Sequence, residues 1–116
     1  MVISMIKQPA DLGAVQQAAA ESFGDMAKAV VDIERGILAL GGELHADAED
    51  VLLKDGSRQE DLLGINLYPD RPAADWIEYT SLINVRPKAG NRSVEITDEG
   101  LRTKVRSLVD RLIPRV

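Results

Sequence analysis

The sequence predicts an α+β fold, a two-layer sandwich in which about three helices pack on a mainly antiparallel sheet of four to five strands. The prediction depends first on hairpin connections, because strands joined by short turns must run antiparallel. It also depends on a segment near the C-terminus whose apolar residues recur at helical spacing. The resulting order is α-β-β-α-β-β-α, and a further strand fits before the first helix.

The first helix is predicted between Pro9 and about Ser22. Pro9 suits a first helical position, because the N–H group that proline lacks would have no helical partner there. Gly24 is a suitable stop, since glycine readily adopts the conformation that ends a helix. The apolar residues that would face the core recur at near-helical spacing. They are Leu12, Val15, Ala19 and Phe23.

A hairpin and a second helix are predicted next. Residues 29–33 and 37–40 are rich in β-branched and aliphatic side chains, which favours two strands, and Gly36 allows the turn between them. Their nearly continuous apolar character indicates a central position in the sheet, covered on both faces or nearly so. Residues 45–54 then predict a short helix that ends near Gly56.

Two further strands are predicted at 62–68 and 76–85, separated by a loop that contains prolines. Gly64 lies inside the first of these strands, where a missing side chain favours close approach by another backbone or ring. Residues 94–96 predict a short edge strand.

The last helix is predicted from its N-terminal residues and its apolar spacing. Thr97 is a suitable N-cap, and Asp98 and Glu99 favour the positive end of the helix dipole. Pro114 stops the run. The apolar residues of one helix face are Leu101, Val105, Leu108, Val109 and Leu112.

Length and composition favour one domain over residues 1–116. Hydrophobic residues make up 45% and charged residues 28% of the chain, which is an ordinary globular balance. The chain has no cysteine, which excludes disulfides, thiolate metal sites and thiol catalysis, and fits a cytoplasmic location. No apolar run approaches about 18 residues, so we expect no membrane span.

The net charge of −5 is unevenly distributed. Residues 1–85 hold 6 basic and 15 acidic side chains, whereas residues 86–116 hold 8 basic and 4 acidic ones. The basic end therefore suits contact with the acidic body, either its own or that of a second copy in a homo-oligomer. A structural or interaction protein is one hypothesis that follows, and the acidic overall charge disfavours a nucleic-acid partner.

Donor-rich turns adjoin predicted strands at two places, residues 56–61 and residues 84–93, and the second also holds Lys88. Guanidinium, amide and hydroxyl groups on loops can hold phosphate or carboxylate. We therefore favour a binding module for an anionic small molecule or an acidic partner segment, with no catalytic residue and no cofactor. The predicted ligand-binding residues are Arg58, Gln59, Asn66, Asn84, Arg86, Asn91 and Arg92.

A structural role is the alternative for the same residues. Arg58 would then pair with Glu60 or Asp61, and Asn91 and Arg92 would hold their loop by bonding backbone carbonyls. The asparagines predicted inside strands need hydrogen-bond partners if they are buried. They either anchor the arginine loops or sit on an open sheet face.

The chain's single histidine, His45, lies among carboxylates in the sequence. With Glu43, Asp47 and Asp50 it supplies ligand types for a divalent cation, which gives a metal-assisted hydrolase as a second hypothesis. The spacing matches no recognised metal motif, so an acidic, solvated helix start is the alternative. A lone histidine without a nucleophile motif also disfavours a catalytic triad.

Several short stretches rich in glycine and charged residues carry a resemblance to a known family. The stretches are 31–36, 41–47, 56–62, 64–66, and 86–87 with 91–93. Together they resemble a family of small bacterial and archaeal proteins, a domain of unknown function, over about residues 5–113. The resemblance implies one complete domain, and it implies no activity, cofactor or catalytic residue.

Overall fold

A computed structural model describes residues 2–87 and 90–115, so Lys88 in the second predicted loop lies outside the described residues. The elements follow the predicted order, and the additional N-terminal strand is present. The strands are β1 (Ser4–Ile6), β2 (Ala27–Asp32), β3 (Ile37–Leu40), β4 (Leu62–Leu67) and β5 (Ile77–Glu78). The helices are α1 (Leu12–Ala20), α2 (His45–Lys54) and α3 (Glu99–Leu112), with 3-10 turns at Gln59–Asp61 and Leu82–Asn84.

The strands form one open sheet in the order β1-β3-β2-β4-β5, and each neighbouring pair runs antiparallel. β2 lies at the centre, where Val30 is the register partner of Ala39 in β3 and of Gly64 in β4. The turn between β2 and β3 uses Gly36 with a φ of 68°. The α+β class and the antiparallel sheet are therefore confirmed.

The helices cover both faces of this sheet. Ala29 and Val31 of β2 belong to a core that includes residues of α1 and α3. Val30 between them belongs to a smaller core with Ala48 and Leu52 of α2. Because consecutive strand residues point to opposite faces, α2 packs on the other side of the sheet from α1 and α3. The helices are thus divided between two faces instead of sharing one, which agrees with the continuous apolar character of the central strands.

The chain between β5 and α3 is less regular than the predicted strand 76–85. Only the two residues of β5 pair with β4. Ser81 then takes an extended conformation, and its Oγ accepts a hydrogen bond from the Ile83 N–H group, which starts a 3-10 turn. The predicted edge strand is reduced to one bridge between Thr80 and Glu95. Side-chain bonds to the backbone have replaced the strand ladder here.

The helix starts differ from the predicted ones by a few residues. α1 begins at Leu12 instead of Pro9. α3 has Asp98 as its N-cap instead of Thr97, because the Asp98 Oδ1 atom accepts a hydrogen bond from the Leu101 N–H group at 3.0 Å. An aspartate oxygen serves this position as well as a threonine hydroxyl does, so the sequence alone did not distinguish them.

Arginines of α3 are bonded to backbone carbonyls of the same domain. Arg106 donates to the carbonyl of Ala73 at 2.6 Å, and Arg111 donates to that of Gly36 at 2.8 Å. The basic C-terminal segment is therefore engaged with its own domain, through main-chain oxygens more than through the acidic side chains that the charge pattern indicated.

Candidate functional site

Arg58 and Gln59 lie on the surface just before β4, and both side chains are exposed. Gln59 is the first residue of a 3-10 turn. Arg58 pairs with Glu60 inside the same turn, which is the contact that the structural alternative predicted. An exposed ion pair of this kind contributes little to stability.

Asn84 is fully buried and takes the place of a strand residue beside β4. Its Oδ1 atom accepts a hydrogen bond from the Gly64 N–H group at 2.7 Å, and its Nδ2 atom donates to the Gly64 carbonyl at 2.9 Å. The same amide donates to the carbonyl of Val94 at 3.1 Å. One side chain thus makes both bonds that an antiparallel neighbour would make to Gly64.

Asn91 and Arg86 hold the loop that follows Asn84. Their main chains exchange two hydrogen bonds, at 2.7 and 3.1 Å. Asn91 Nδ2 donates to the carbonyls of Asn84 and Ser93, at 2.5 and 2.8 Å. Arg86 Nη2 lies 2.5 Å from Oε2 of Glu49 in α2. The structure therefore brings Asn84, Arg86 and Asn91 together, and most of their polar atoms shape the loop.

The two arginine-containing loops are tied to different carboxylates. Arg58 pairs with Glu60, whereas Arg86 pairs with Glu49 on α2. Arg92 is exposed, and it forms no ion pair with any residue that the structure describes. Binding of one anion by these arginines together stays a prediction.

The carboxylates around His45 are not arranged as a metal site. Within residues 2–87 and 90–115, no three histidine, aspartate or glutamate side chains are grouped closely enough to hold an ion. Glu43 and Asp47 are exposed, and Asp50 pairs with Lys54 at 2.8 Å. His45 is buried instead. The metal-assisted hydrolase therefore gains no support from the geometry.

His45 is the first residue of α2, and its ring points inward to β4. Nε2 lies 2.8 Å from the carbonyl oxygen of Ile65. Because a carbonyl only accepts, Nε2 must carry the proton, and in the neutral ring Nδ1 keeps a free lone pair. Burial lowers the pKa of His45 to about 4, and the charge of Lys28 reinforces this shift. The bond to Ile65 and the neighbouring Asn66 and Glu78 side chains oppose it in part. The ring is therefore neutral at pH 7.

This burial predicts a specific dependence of stability on pH. The unfolded chain binds a proton on His45 below about pH 6.5, while the folded chain does so only near pH 4. The unfolded state is therefore favoured as pH falls through that interval, and stability present above pH 6.5 is lost. Between about pH 7.5 and about pH 5, we expect the free energy of unfolding to drop by roughly 2 kcal/mol through this group.

Urea unfolding of the parent and of His45→Gln at the two pH values measures the effect. Glutamine keeps a donor for the Ile65 carbonyl and does not titrate, so all other groups contribute equally to both proteins. The parent should lose roughly 2 kcal/mol more than the variant. Equal losses would show that His45 is not buried as a neutral ring.

Lys28, Asn66 and Glu78 form a polar row across three strands. Lys28 is the register partner of Asn66, and Asn66 is the partner of Glu78. Asn66 Nδ2 donates to Oε1 of Glu78 at 2.7 Å and, more weakly, to the Thr80 carbonyl at 3.4 Å. Oδ1 of Asn66 is buried and has no hydrogen-bond partner within the described part of the chain. A buried acceptor without a partner is costly, so it indicates a position where another group can bind.

This row adjoins a cleft of about 400 Å³ at the N-terminus of α2. The helix has the apolar Leu44 as its N-cap, and no side chain there accepts a hydrogen bond from the first turn. The Asp47 N–H group donates to the Leu44 carbonyl at 3.1 Å, which leaves the N–H groups of His45 and Ala46 to solvent or to a ligand. These groups carry the positive end of the helix dipole. The lining residues are Lys28, Leu44, His45, Ala46, Asn66, Thr80, Ser81, Leu82 and Ile83.

Gly64 allows two of these lining residues to approach β4. A Cβ atom at position 64 would lie 2.5 Å from Cβ and 2.6 Å from Oγ of Ser81, and 3.1 Å from Cδ2 of His45. The two side chains therefore occupy the space that a larger residue would fill. The predicted approach of a ring to Gly64 is confirmed.

The profile of one protein family, described as a protein of unknown function (DUF5674), matches residues 4–112. This chain belongs to the DUF5674 family. The matched range extends from β1 to the end of α3 and agrees with the resemblance over about residues 5–113 that the sequence indicated. No curated protein and no solved structure matches the chain.

The cleft of this DUF5674 domain was only partly predicted from the sequence. Asn66 and His45 were singled out, whereas Lys28, Thr80 and Ser81 were not. The available signal was Lys28, because a lysine is rarely found within the apolar sequence of a central strand.

No helix in the described ranges is both long and apolar enough to span a membrane.

Proposed function

We propose that this DUF5674 domain is a binding module for small anionic molecules and that the cleft at the N-terminus of α2 is the binding site. One observation carries the proposal: a lysine, a helix N-terminus without a side-chain cap and buried polar side chains line the same cleft. Asn66 belongs both to this cleft and to the residues predicted from the sequence. The loops of Arg58, Arg86 and Arg92 are the competing site.

Lys28 supplies the positive charge of the cleft. Its side chain is half-buried, and its ammonium group lies 5.4 Å from the centre of the Phe23 ring. No ion pair joins it to another described residue. A lysine whose charge is not already neutralised is free to pair with an anion.

The backbone of α2 adds to this charge. The N–H groups of a helix start point along the axis toward a bound anion, and the dipole favours negative charge there. The hydroxyl groups of Thr80 and Ser81, which also line the cleft, are further donors. These groups together suit a carboxylate or phosphate oxygen.

Two carboxylates near the cleft limit how much negative charge it can accept. Asp47 lies in the first turn of α2, but its side chain is exposed. Glu78 is the neighbour of Asn66 on β5. Its carboxylate accepts hydrogen bonds from Asn66 at 2.7 Å and from the Tyr68 hydroxyl at 3.4 Å. With one lysine against these charges, a singly charged carboxylate fits better than a polyanion.

A larger hollow lies between the start of α1 and the end of α3, but it has fewer free polar groups that could bind an anion. It measures about 510 Å³, and its charged lining residues are Asp11 and Arg115. Arg115 already stacks over Trp76, 4.8 Å from the ring centre, and donates to the carbonyl of Arg71. The cleft at α2 therefore supports the proposal better than this hollow does.

Titration of the isotope-labelled domain with acetate, followed by amide NMR shifts, tests the proposal. We expect the largest shifts at His45, Ala46 and Lys28, around the helix start. Lys28→Met keeps the aliphatic stem and removes the charge, so it should weaken acetate binding about tenfold, the effect of losing one charge-assisted hydrogen bond.

Arg92→Ala is the matched control, because it removes one exposed positive charge from the competing loop. It should leave the affinity for acetate within about twofold of the parent, since exposed charges at a distance are largely screened by salt. Shifts centred on residues 86–92, lost in Arg92→Ala and kept in Lys28→Met, would assign binding to the arginine loop and overturn the proposal.

A further inference from the structure

We infer that the cleft selects a carboxylate that carries a hydroxyl or ammonium group on the adjacent carbon and an aliphatic tail. Such a ligand is an apolar α-hydroxy or α-amino acid. The inference rests on the proposed function, because it assumes that an anion binds at the start of α2. It adds the two other parts of the ligand, each from a separate observation.

The hydrogen-bond donor on the ligand is inferred from unused acceptors in the cleft. Asn66 is 7% exposed, and its Oδ1 atom has no partner among the residues described. Its Nδ2 atom is bonded to the Glu78 carboxylate, so the amide is oriented with oxygen, not nitrogen, free. His45 adds the lone pair of Nδ1, since its Nε2 proton is used by the Ile65 carbonyl.

These groups are of two kinds, and each kind suits one part of the ligand's polar head. Lys28 and the first turn of α2 supply positive charge, whereas Asn66 and His45 supply acceptors in the same cleft. A plain carboxylate would bond to the first set and leave the Asn66 oxygen unpaired. A hydroxyl or ammonium group beside the carboxylate satisfies that oxygen, and such matched bonding gives strong discrimination between related ligands.

The aliphatic tail is inferred from the rim of the cleft. Leu44 and Leu82 line it and are 61% and 81% exposed, values that are high for large apolar side chains. Ala46 and Ile83 continue this apolar surface. A volume of about 400 Å³ is at the lower end of the range for small-molecule sites, which suits a ligand of amino-acid size.

Four probes separate the contributions: acetate, isocaproate, leucate (the α-hydroxy derivative of isocaproate) and leucine. Amide NMR titrations of the parent domain should give leucate or leucine at least about tenfold tighter binding than isocaproate, for one buried hydrogen bond gained. Isocaproate should in turn bind more tightly than acetate. These comparisons need no variant, so no folding defect can obscure them.

Leu82→Ala tests the tail at a position whose side chain is almost fully exposed, where the fold tolerates change. It should weaken leucate binding severalfold and lower the ratio of leucate affinity to acetate affinity, because acetate has no tail that could contact position 82. If isocaproate, leucate and leucine bind equally while acetate still binds in a Lys28-dependent way, the inference is wrong and the proposed function stands. If no probe shifts the amides around His45, both fail.

Discussion

Asn84→Asp should be among the most destabilising single substitutions in this domain, with a loss of about 3–5 kcal/mol in the free energy of unfolding. The new side chain has the same shape, and one oxygen can still accept the Gly64 N–H bond. The other oxygen replaces a donor and faces the carbonyls of Gly64 and Val94, which Nδ2 of Asn84 binds at 2.9 and 3.1 Å. A charge at this fully buried position would lose its hydration, which is costly.

Urea unfolding monitored by circular dichroism measures this loss. Gln59→Glu is the matched control, because it makes the same amide-to-acid change on an exposed side chain and should alter stability by less than about 0.5 kcal/mol. The destabilisation by Asn84→Asp should also shrink at acidic pH, where the carboxyl group regains a proton and a donor. An unchanged unfolding midpoint at neutral pH would show that Asn84 does not bridge to β4.

Gly64→Ala is expected to cost about 1–3 kcal/mol or more, through overpacking at the floor of the cleft. The added methyl group would lie 2.5 Å from Ser81 Cβ and 3.1 Å from His45 Cδ2. Strand β4 is an inner strand of the sheet and the position is buried, so the crowded atoms have little room to move. Either the strand or the segment carrying Ser81 must shift.

A double-mutant cycle identifies the clash. In a Ser81→Gly background the closest atoms are gone, so Gly64→Ala should cost about 0.5–3 kcal/mol less than in the parent. Gly13→Ala is the control, because its added methyl group would meet only the exposed end of the Asp11 side chain. Additive effects of the two substitutions at 64 and 81 would argue against the close contact.

Elements with a strong local pattern were predicted well. The helix at 45–54 has the bounds that the sequence predicted, and the turn at Gly36 has the expected positive φ. The apolar spacing of the last helix placed Val105 and Leu108 correctly in the core. In these cases neighbouring residues along the chain carry the information, through periodicity and turn chemistry.

The region from 79 to 96 was predicted less well, because its structure depends on contacts between distant residues. Nothing near Asn84 in the sequence shows that its amide will pair with Gly64, 20 residues away. A propensity scale treats such a residue as a poor strand former and cannot show that its side chain replaces a strand. The cleft was only partly predicted for the same reason, since the row of Lys28, Asn66 and Glu78 exists only once the strand register is known.

The side-chain pairing of Asn84 also limits where a strand of another molecule could pair with this sheet. β5 covers only the end of β4, at Asn66 and Leu67. If nothing else paired with the rest of β4, its free N–H and C=O groups could bond to a strand of another molecule. Such pairing is the usual route to edge-to-edge aggregation. Asn84 occupies both groups of Gly64 in the middle of that edge. The same amide that shapes the loop thus leaves Gly64 no free backbone group for a strand of another molecule.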